Sequence, residues 1–66
     1  MIDELTIEAS QLQPGDTVIE INGNVASFDV VKVEGAGFSL TVTAETVAAG
    51  RYRMHLNRHI IATVIR

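Results

Sequence analysis

Hydrophobic and polar residues alternate one by one through two stretches in the second half of the chain. In the first stretch the apolar positions are Phe38, Leu40, Val42 and Ala44, with serine and threonine between them. In the second stretch, after Gly50, the apolar positions Tyr52, Met54 and Leu56 alternate with the polar positions Arg51, Arg53 and His55. A period of two predicts two antiparallel strands with one face on the core and one face in water, joined by a loop or one helical turn over residues 45–49.

Turn signals divide the rest of the chain into further short strands. The spacing predicts a strand within 2–8, a single helical turn over 10–13, and strands over 17–21, 25–34 and 60–66. Pro14-Gly15-Asp16 predicts a type II turn, because proline presets φ and glycine supplies a positive φ at the third position. Asn22-Gly23-Asn24 predicts a tight hairpin. Gly35-Ala36-Gly37 and Asn57-Arg58-His59 predict two more turns.

The long strand over residues 25–34 changes its inward face part of the way along. Phe28 and Val30 favour one face of a strand, whereas Val31 and Val33 favour the other. A β-bulge or a sharp bend near Asp29 explains the change, since one extra residue shifts the alternation. A bent strand allows a single sheet to curl into a barrel.

The order of these parts resembles the SH3-like small β-barrels. The entry Leu12-Gln13-Pro14-Gly15-Asp16-Thr17-Val18 is similar to that of KOW-type modules and of small barrels encoded by tailed phages. The resemblance implies an all-β single domain over residues 1–66, with five to six antiparallel strands and one helical turn before the Pro-Gly-Asp turn. A five-stranded OB-like barrel is the alternative. Only Phe28, Phe38 and Tyr52 are aromatic, so the aromatic pairs of SH3 domains that bind proline-rich peptides are not evident.

Length and composition predict a domain of modest stability. A chain of 66 residues buries about 60% of the surface that it exposes when unfolded, and the absence of cysteine excludes a disulfide. An apolar share of 47% is high for this size, so either a partner covers part of it or the seven alanines lie on the surface. No basic segment precedes an apolar run, and no run approaches the roughly 20 residues that span a bilayer. We therefore expect no membrane partner and a cytoplasmic protein, in the host cytoplasm if a phage encodes it.

Charge is distributed unevenly along the chain. Residues 1–49 contain eight acidic residues and one lysine, whereas residues 50–66 contain four arginines, two histidines and no acid. Three interpretations follow. The late arginines pair with Asp3, Glu4 and Glu8 of the same molecule, or they face an acidic protein partner or second subunit, or they follow a nucleic-acid backbone. The net charge of −3 disfavours the nucleic acid.

Residues with catalytic or metal-binding chemistry do not form a recognisable motif. His55 and His59 have helical spacing, but a strand end and a turn separate them and no third ligand is nearby, which favours exposed, non-catalytic histidines over a metal site. Ser10, Ser27 and Ser39 lack the setting of a nucleophile elbow. Residues 35–37 are not followed by a helix or a Lys-Ser/Thr pair, so they predict a turn and no phosphate loop. We expect no enzyme, no cofactor and no small-molecule substrate.

The last strand is apolar on both faces, which points to an interaction surface. Ile61 and Ile65, placed outward near Ile19 or Ile21, form an apolar patch unless the helical turn or the N-terminal segment covers it. The sequence therefore predicts a non-catalytic interaction module that binds a protein partner, or itself as a homo-oligomer, through the outer faces of the last two strands. The predicted partner-binding residues are Arg51, Arg53, His55, Arg58, His59, Ile61, Ile65 and Arg66. The alternative is a nucleic-acid-binding barrel that uses the four arginines, Arg51, Arg53, Arg58 and Arg66.

Overall fold

The computed structural model describes residues 3–35 and 37–66 and shows an all-β chain. The predicted single helical turn before the Pro-Gly-Asp turn is present as a 3-10 turn at Ala9–Gln11, which begins one residue before the predicted range of 10–13. The strands are β1 (Glu4–Glu8), β2 (Thr17–Ile21), β3 (Asn24–Glu34), β4 (Ser39–Thr46), β5 (Gly50–Asn57) and β6 (Ile61–Ile65). Within the described ranges, no helix is both long enough and apolar enough to cross a membrane.

All six strands belong to one antiparallel sheet in the order β1-β6-β2-β3-β4-β5. The last strand therefore lies between the first and the second, and β1 and β5 form the two edges. Over residues 3–35 and 37–66 the sheet is open, because no pairing joins β1 to β5. The prediction of six antiparallel strands is confirmed, and closure into a barrel is not part of the hydrogen-bonded architecture.

The connection between β5 and β6 requires the sheet to curl strongly. These strands are four positions apart in the sheet order, a distance of about 19 Å in a flat sheet. The four residue steps from Asn57 to Ile61 span at most about 14 Å when fully extended. The turn is shorter still, since the Ile60 N–H donates to the Asn57 carbonyl at 3.1 Å. The sheet must therefore fold back on itself and bring the β5 end close to the β6 start.

Extra residues in β2 and β3 assist this curvature. Val30 pairs with Ala44 and Lys32 pairs with Thr43, so Val31 is an unpaired bulge residue in β3. The predicted bulge near Asp29 is confirmed at a position two residues further on. It brings Val30 and Val33 to the same inner face. Strand β2 has a second irregularity: between Val18 and Glu20 its pairing register shifts against both β3 and β6.

Turn residues adopt the backbone conformations that their chemistry predicts. Gly15 has a φ of +96°, and the Asp16 N–H donates to the Gln13 carbonyl at 3.1 Å, which confirms the type II turn. Asn22 and Gly23 have φ values of +50° and +79°, which confirms the tight hairpin. The predicted turn at 35–37 includes Ala36, which lies outside the described residues.

The hydrophobic core lies on the inner face of the curled sheet and is small. The largest fully buried side chains are Val18, Val42 and Val64. The predicted inward position of Phe38 is wrong: its side chain is 76% exposed, because β4 begins only at Ser39 and Phe38 belongs to the preceding turn. The buried apolar residues are Ala9, Leu12, Val18, Phe28, Val30, Leu40, Val42, Ala44, Ala62 and Val64.

Candidate functional site

Strand β5 combines an open backbone edge with two different rows of side chains. Its only strand partner in the described residues is β4. The outer row consists of Arg51, Arg53 and His55, all exposed. The inner row consists of Tyr52, Met54 and Leu56, which are half-buried and pack against the core. An unpaired strand edge flanked by a basic row and an apolar row has the features of a site that accepts another strand.

The three outer side chains of β5 differ in how they are held. Arg51 is paired with Glu45 directly opposite on β4, at 2.9 Å between Nη2 and Oε2. His55 Nδ1 lies 3.2 Å from the Thr41 hydroxyl. Among the described residues, Arg53 has neither a carboxylate partner nor a side-chain hydrogen bond. Arg53 is therefore the cation of β5 that is most available to an outside ligand.

A lysine that the sequence interpretation missed joins these arginines. Thr43 of β4 pairs with Lys32 on one side and with Arg53 on the other, so the two cations lie in one row across the sheet. Lys32 also contacts Glu34 at 3.3 Å. A shallow concavity of about 550 Å³ is lined by Lys32, Glu34, Thr43, Arg51, Tyr52 and Arg53. We call Lys32, Arg51 and Arg53 the basic patch.

The turn between β5 and β6 is fastened to two other parts of the chain. The Arg58 N–H donates to the Phe38 carbonyl at 2.8 Å, and its guanidinium donates to the Gly37 carbonyl at 3.3 Å. His59 Nδ1 lies 3.4 Å from the Glu8 carboxylate. Internal pairing by Glu8 is thus present, although its partner is a histidine and not one of the arginines.

Ile61 and Ile65 lie on the outer face of β6, which is four positions from β5 in the sheet order. Ile61 is 49% exposed and Ile65 is half-buried. Their partners on β1 are Glu8 and Glu4, respectively. Because β6 lies between β1 and β2, pairing does not place this face beside β5, and the predicted surface is divided into two parts. Ile21 pairs with Ala62 and packs against the core, so it does not extend the outer patch.

Arg66 is held within the molecule by a buried carboxylate. Its guanidinium donates to both Asp16 carboxylate oxygens, at 2.8 Å and 3.2 Å, and to the Gln11 carbonyl at 2.9 Å. Asp16 is 2% exposed and also accepts a bond from the Gln13 N–H at 2.9 Å. The structure thus brings together residues fifty positions apart and assigns Arg66 to the support of the Pro-Gly-Asp turn.

These contacts set the ionisation of the pair. Burial of the Asp16 carboxyl acts to raise its pKa. The hydrogen bonds from Arg66 and from the Gln13 N–H, together with the Arg66 charge, outweigh that cost and hold the pKa of Asp16 below its usual value. The hydrogen bond to Asp16 raises the pKa of Arg66 above its already high value. The pair is fully ionised at neutral pH.

We expect the contribution of Asp16 to stability to disappear in acid. A carboxyl whose pKa is lower in the folded state than in the unfolded state stabilises the fold above the unfolded value of about 3.9, and this stabilisation is lost as the pH falls through the folded pKa. The measurement is the difference in free energy of unfolding between the wild type and Asp16→Asn, from urea titrations at pH values between 7 and 2. The difference should be constant above about pH 5 and shrink below about pH 4. A difference that does not change over this range would contradict the ionised pair.

In the described residues, no group of three or more His, Cys, Asp or Glu side chains is arranged to hold a metal ion.

Comparisons with known proteins identified no relative of this chain. No family model, no curated protein and no solved structure matches the chain. The resemblance to SH3-like barrels therefore stays a prediction, and the candidate site rests on the geometry of β5.

Proposed function

We propose that the protein is a non-catalytic interaction module, built as a small SH3-like barrel, that binds an extended acidic segment of a protein along β5. The observation that carries this proposal is that a free strand edge, an available cation and an apolar row coincide on β5. An edge without a strand partner in the described residues lies beside Arg53, which has no carboxylate partner among those residues, and beside a half-buried apolar row.

The chemistry of an edge strand favours an extended ligand. A peptide that adds to the edge gains main-chain hydrogen bonds, and its alternate side chains face the two rows of β5. Apolar ligand residues then cover Tyr52 and Met54 on the inner side. Acidic ligand residues face Arg53 and the rest of the basic patch on the outer side. The preferred ligand alternates apolar and acidic residues.

The curled sheet supports the barrel part of the proposal. The short β5–β6 connection, the β3 bulge at Val31 and the irregularity in β2 all bend the sheet around one core. Edge strands β1 and β5 remain as the two borders of an incompletely closed barrel.

A protein ligand fits the charges better than a nucleic acid does. Of the four late arginines, Arg51 and Arg66 contact carboxylates of the same chain. Arg53 and Arg58 are left without a carboxylate partner among the described residues, and two phosphate contacts contribute little through counterion release. The net charge of −3 acts in the same direction.

The test is a titration of the ¹⁵N-labelled protein with a synthetic nonapeptide of alternating glutamate and valine. We expect amide shifts to concentrate in Gly50–Asn57 and binding to weaken as salt is added. Arg53→Gln should weaken binding about three- to fivefold, the upper part of the range for one exposed charge pair.

A matched control separates the site from the net charge. Ser27→Glu makes the same change of one charge unit at an exposed position on β3, and binding should change less than about twofold. Two results would reject the proposal: equal binding of a lysine–valine peptide, or peptide-induced shifts that leave β5 unchanged. Tighter binding of a single-stranded oligonucleotide than of the acidic peptide would favour the nucleic-acid alternative.

A further inference from the structure

The opposite edge of the sheet has the features that β5 requires of a ligand. The outer row of β1 contains Glu4, Thr6 and Glu8, and its inner row contains Leu5 and Ile7. Leu5 is 37% exposed and Ile7 is half-buried, although both belong to the inner face. β1 is thus an edge strand of alternating acidic or polar and apolar residues, while β5 is an edge strand of alternating basic and apolar residues.

We propose that the segment that docks on β5 is the β1 strand of a second copy of this chain, so that copies associate head to tail. This inference rests on the proposed function and names its partner. It uses one acidic edge and one basic edge of the same molecule, and the charge asymmetry between the first and last parts of the chain supplies the complementarity.

Strand direction and register are compatible with this contact. The sheet is antiparallel throughout and β1 and β5 are its ends, so their antiparallel addition continues the same pattern. One antiparallel register places Ile7 opposite Tyr52 and Leu5 opposite Met54, which joins the two half-buried apolar rows.

On the other face the same register places Glu8 opposite Arg51 and Glu4 opposite His55. Arg53 then lies opposite Thr6, between the two glutamates.

A symmetric contact is disfavoured by the same charges. Pairing β1 with the β1 strand of another copy brings the glutamates Glu4 and Glu8 opposite glutamates. Pairing β5 with the β5 strand of another copy brings arginines opposite arginines or histidine. Like charges placed directly opposite in a sheet are destabilising. The contact is therefore heterologous, and such contacts generate rings or open chains and not closed two-fold dimers.

The size of the core supplies a reason for association. The largest fully buried side chains are three valines, and a domain of this size has little stability to spare. The half-buried Tyr52, Met54 and Ile7 and the exposed Leu5 at the two edges are apolar surface that a monomer leaves in contact with water. Head-to-tail contact covers both edges at once.

The experiment is sedimentation velocity of the full chain, 7.1 kDa, over a concentration series at low and high salt. We expect the average mass to rise with concentration and to fall when salt is added. Arg53→Glu and Glu4→Arg should each raise the association midpoint at least about tenfold, because each places like charges together. Circular dichroism confirms that both variants stay folded, as expected for exposed side chains without ion pairs in the described residues.

Mixing the two variants tests the head-to-tail geometry directly. The Arg53→Glu variant retains a wild-type β1 edge, and the Glu4→Arg variant retains a wild-type β5 edge. In an equimolar mixture both possible contacts between the two variants place opposite charges together, Glu4 with Arg53 and the reversed pair on the altered edges. The mixture should therefore associate at concentrations where each variant alone is monomeric. A symmetric contact uses only one of the two edges, so the variant altered at the other edge would still self-associate like the wild type, and this result would contradict the head-to-tail geometry.

Failure of this inference is distinguishable from failure of the proposed function. A chain that stays monomeric up to about 1 mM, the upper end of weak association, while the glutamate–valine peptide still shifts β5 overturns self-association only. Self-association that survives Glu4→Arg excludes β1 as the ligand. If the peptide leaves β5 unchanged and association survives Arg53→Glu, both proposals are wrong.

Discussion

Replacing Phe28 with alanine is expected to unfold most of the protein at 25 °C. Phe28 is 6% exposed and lies opposite Val18 in the β2–β3 pairing, next to the most deeply buried part of the core. Truncation of a buried phenylalanine costs about 3–5 kcal/mol. A single core in a chain of this length supplies roughly the same amount, about 3–5 kcal/mol. The measurement is urea unfolding followed by circular dichroism.

Phe38 provides a matched control for this prediction. Phe38→Ala makes the same substitution at a side chain that is 76% exposed, so the free energy of unfolding should change by less than about 0.5 kcal/mol. The two phenylalanines are ten residues apart, and the alternation around each suggests an inward position. Equal losses in the two variants would contradict the assignment of Phe28 to the core and Phe38 to the surface.

Replacing Asp16 with alanine is expected to cost about 1.5–3 kcal/mol, the range for hydrogen bonds to a charged group. The side chain joins the Gln13 N–H to Arg66. The main chain of the same turn is bonded to β3: the Val30 N–H donates to the Asp16 carbonyl and the Gly15 N–H donates to the Val30 carbonyl, both at 2.8 Å. The turn is thereby attached to β3 immediately before the bulge residue Val31.

Two further variants separate the contributions at this turn. Asp16→Asn keeps an acceptor for the Gln13 N–H and loses the charge that faces Arg66, so its loss of stability should be smaller than that of Asp16→Ala. Asp29→Ala removes an exposed carboxylate that accepts one bond from the Thr17 hydroxyl at 2.8 Å, and it should cost less than about 1 kcal/mol. Comparable losses for Asp16→Ala and Asp29→Ala in urea unfolding would contradict a central role for the Asp16 pair.

These two residues also relate stability to the proposed binding. Phe28 and Asp16 lie on or next to the middle strands β2 and β3, whereas β1 and β5 are at the borders of the sheet. Variants of Arg53 or Glu4 therefore change the edges without removing any of the contacts that hold the centre together. Loss of binding in those variants reports on the interface and not on unfolding.

Local chemistry made much of the secondary structure predictable from the sequence. The period of two in residues 38–56 indicates strands because successive side chains of a strand point to opposite faces. Gly15 and the Asn22-Gly23 pair identify their turns because few residues accept positive φ. The change of face in the third strand predicts a bulge because a single extra residue reverses the alternation. Each of these signals depends only on neighbours along the chain.

Long-range pairing accounts for what the sequence left open. Insertion of β6 between β1 and β2 separates Ile61 and Ile65 from the basic patch, and no local pattern contains that strand order. Lys32 joins Arg53 only because the Val31 bulge shifts the register against Thr43. Asp16 binds Arg66, which lies fifty positions further along the chain. Contacts of this kind exist only after the sheet has curled, because hydrogen bonding and burial between distant segments depend on the path of the whole chain.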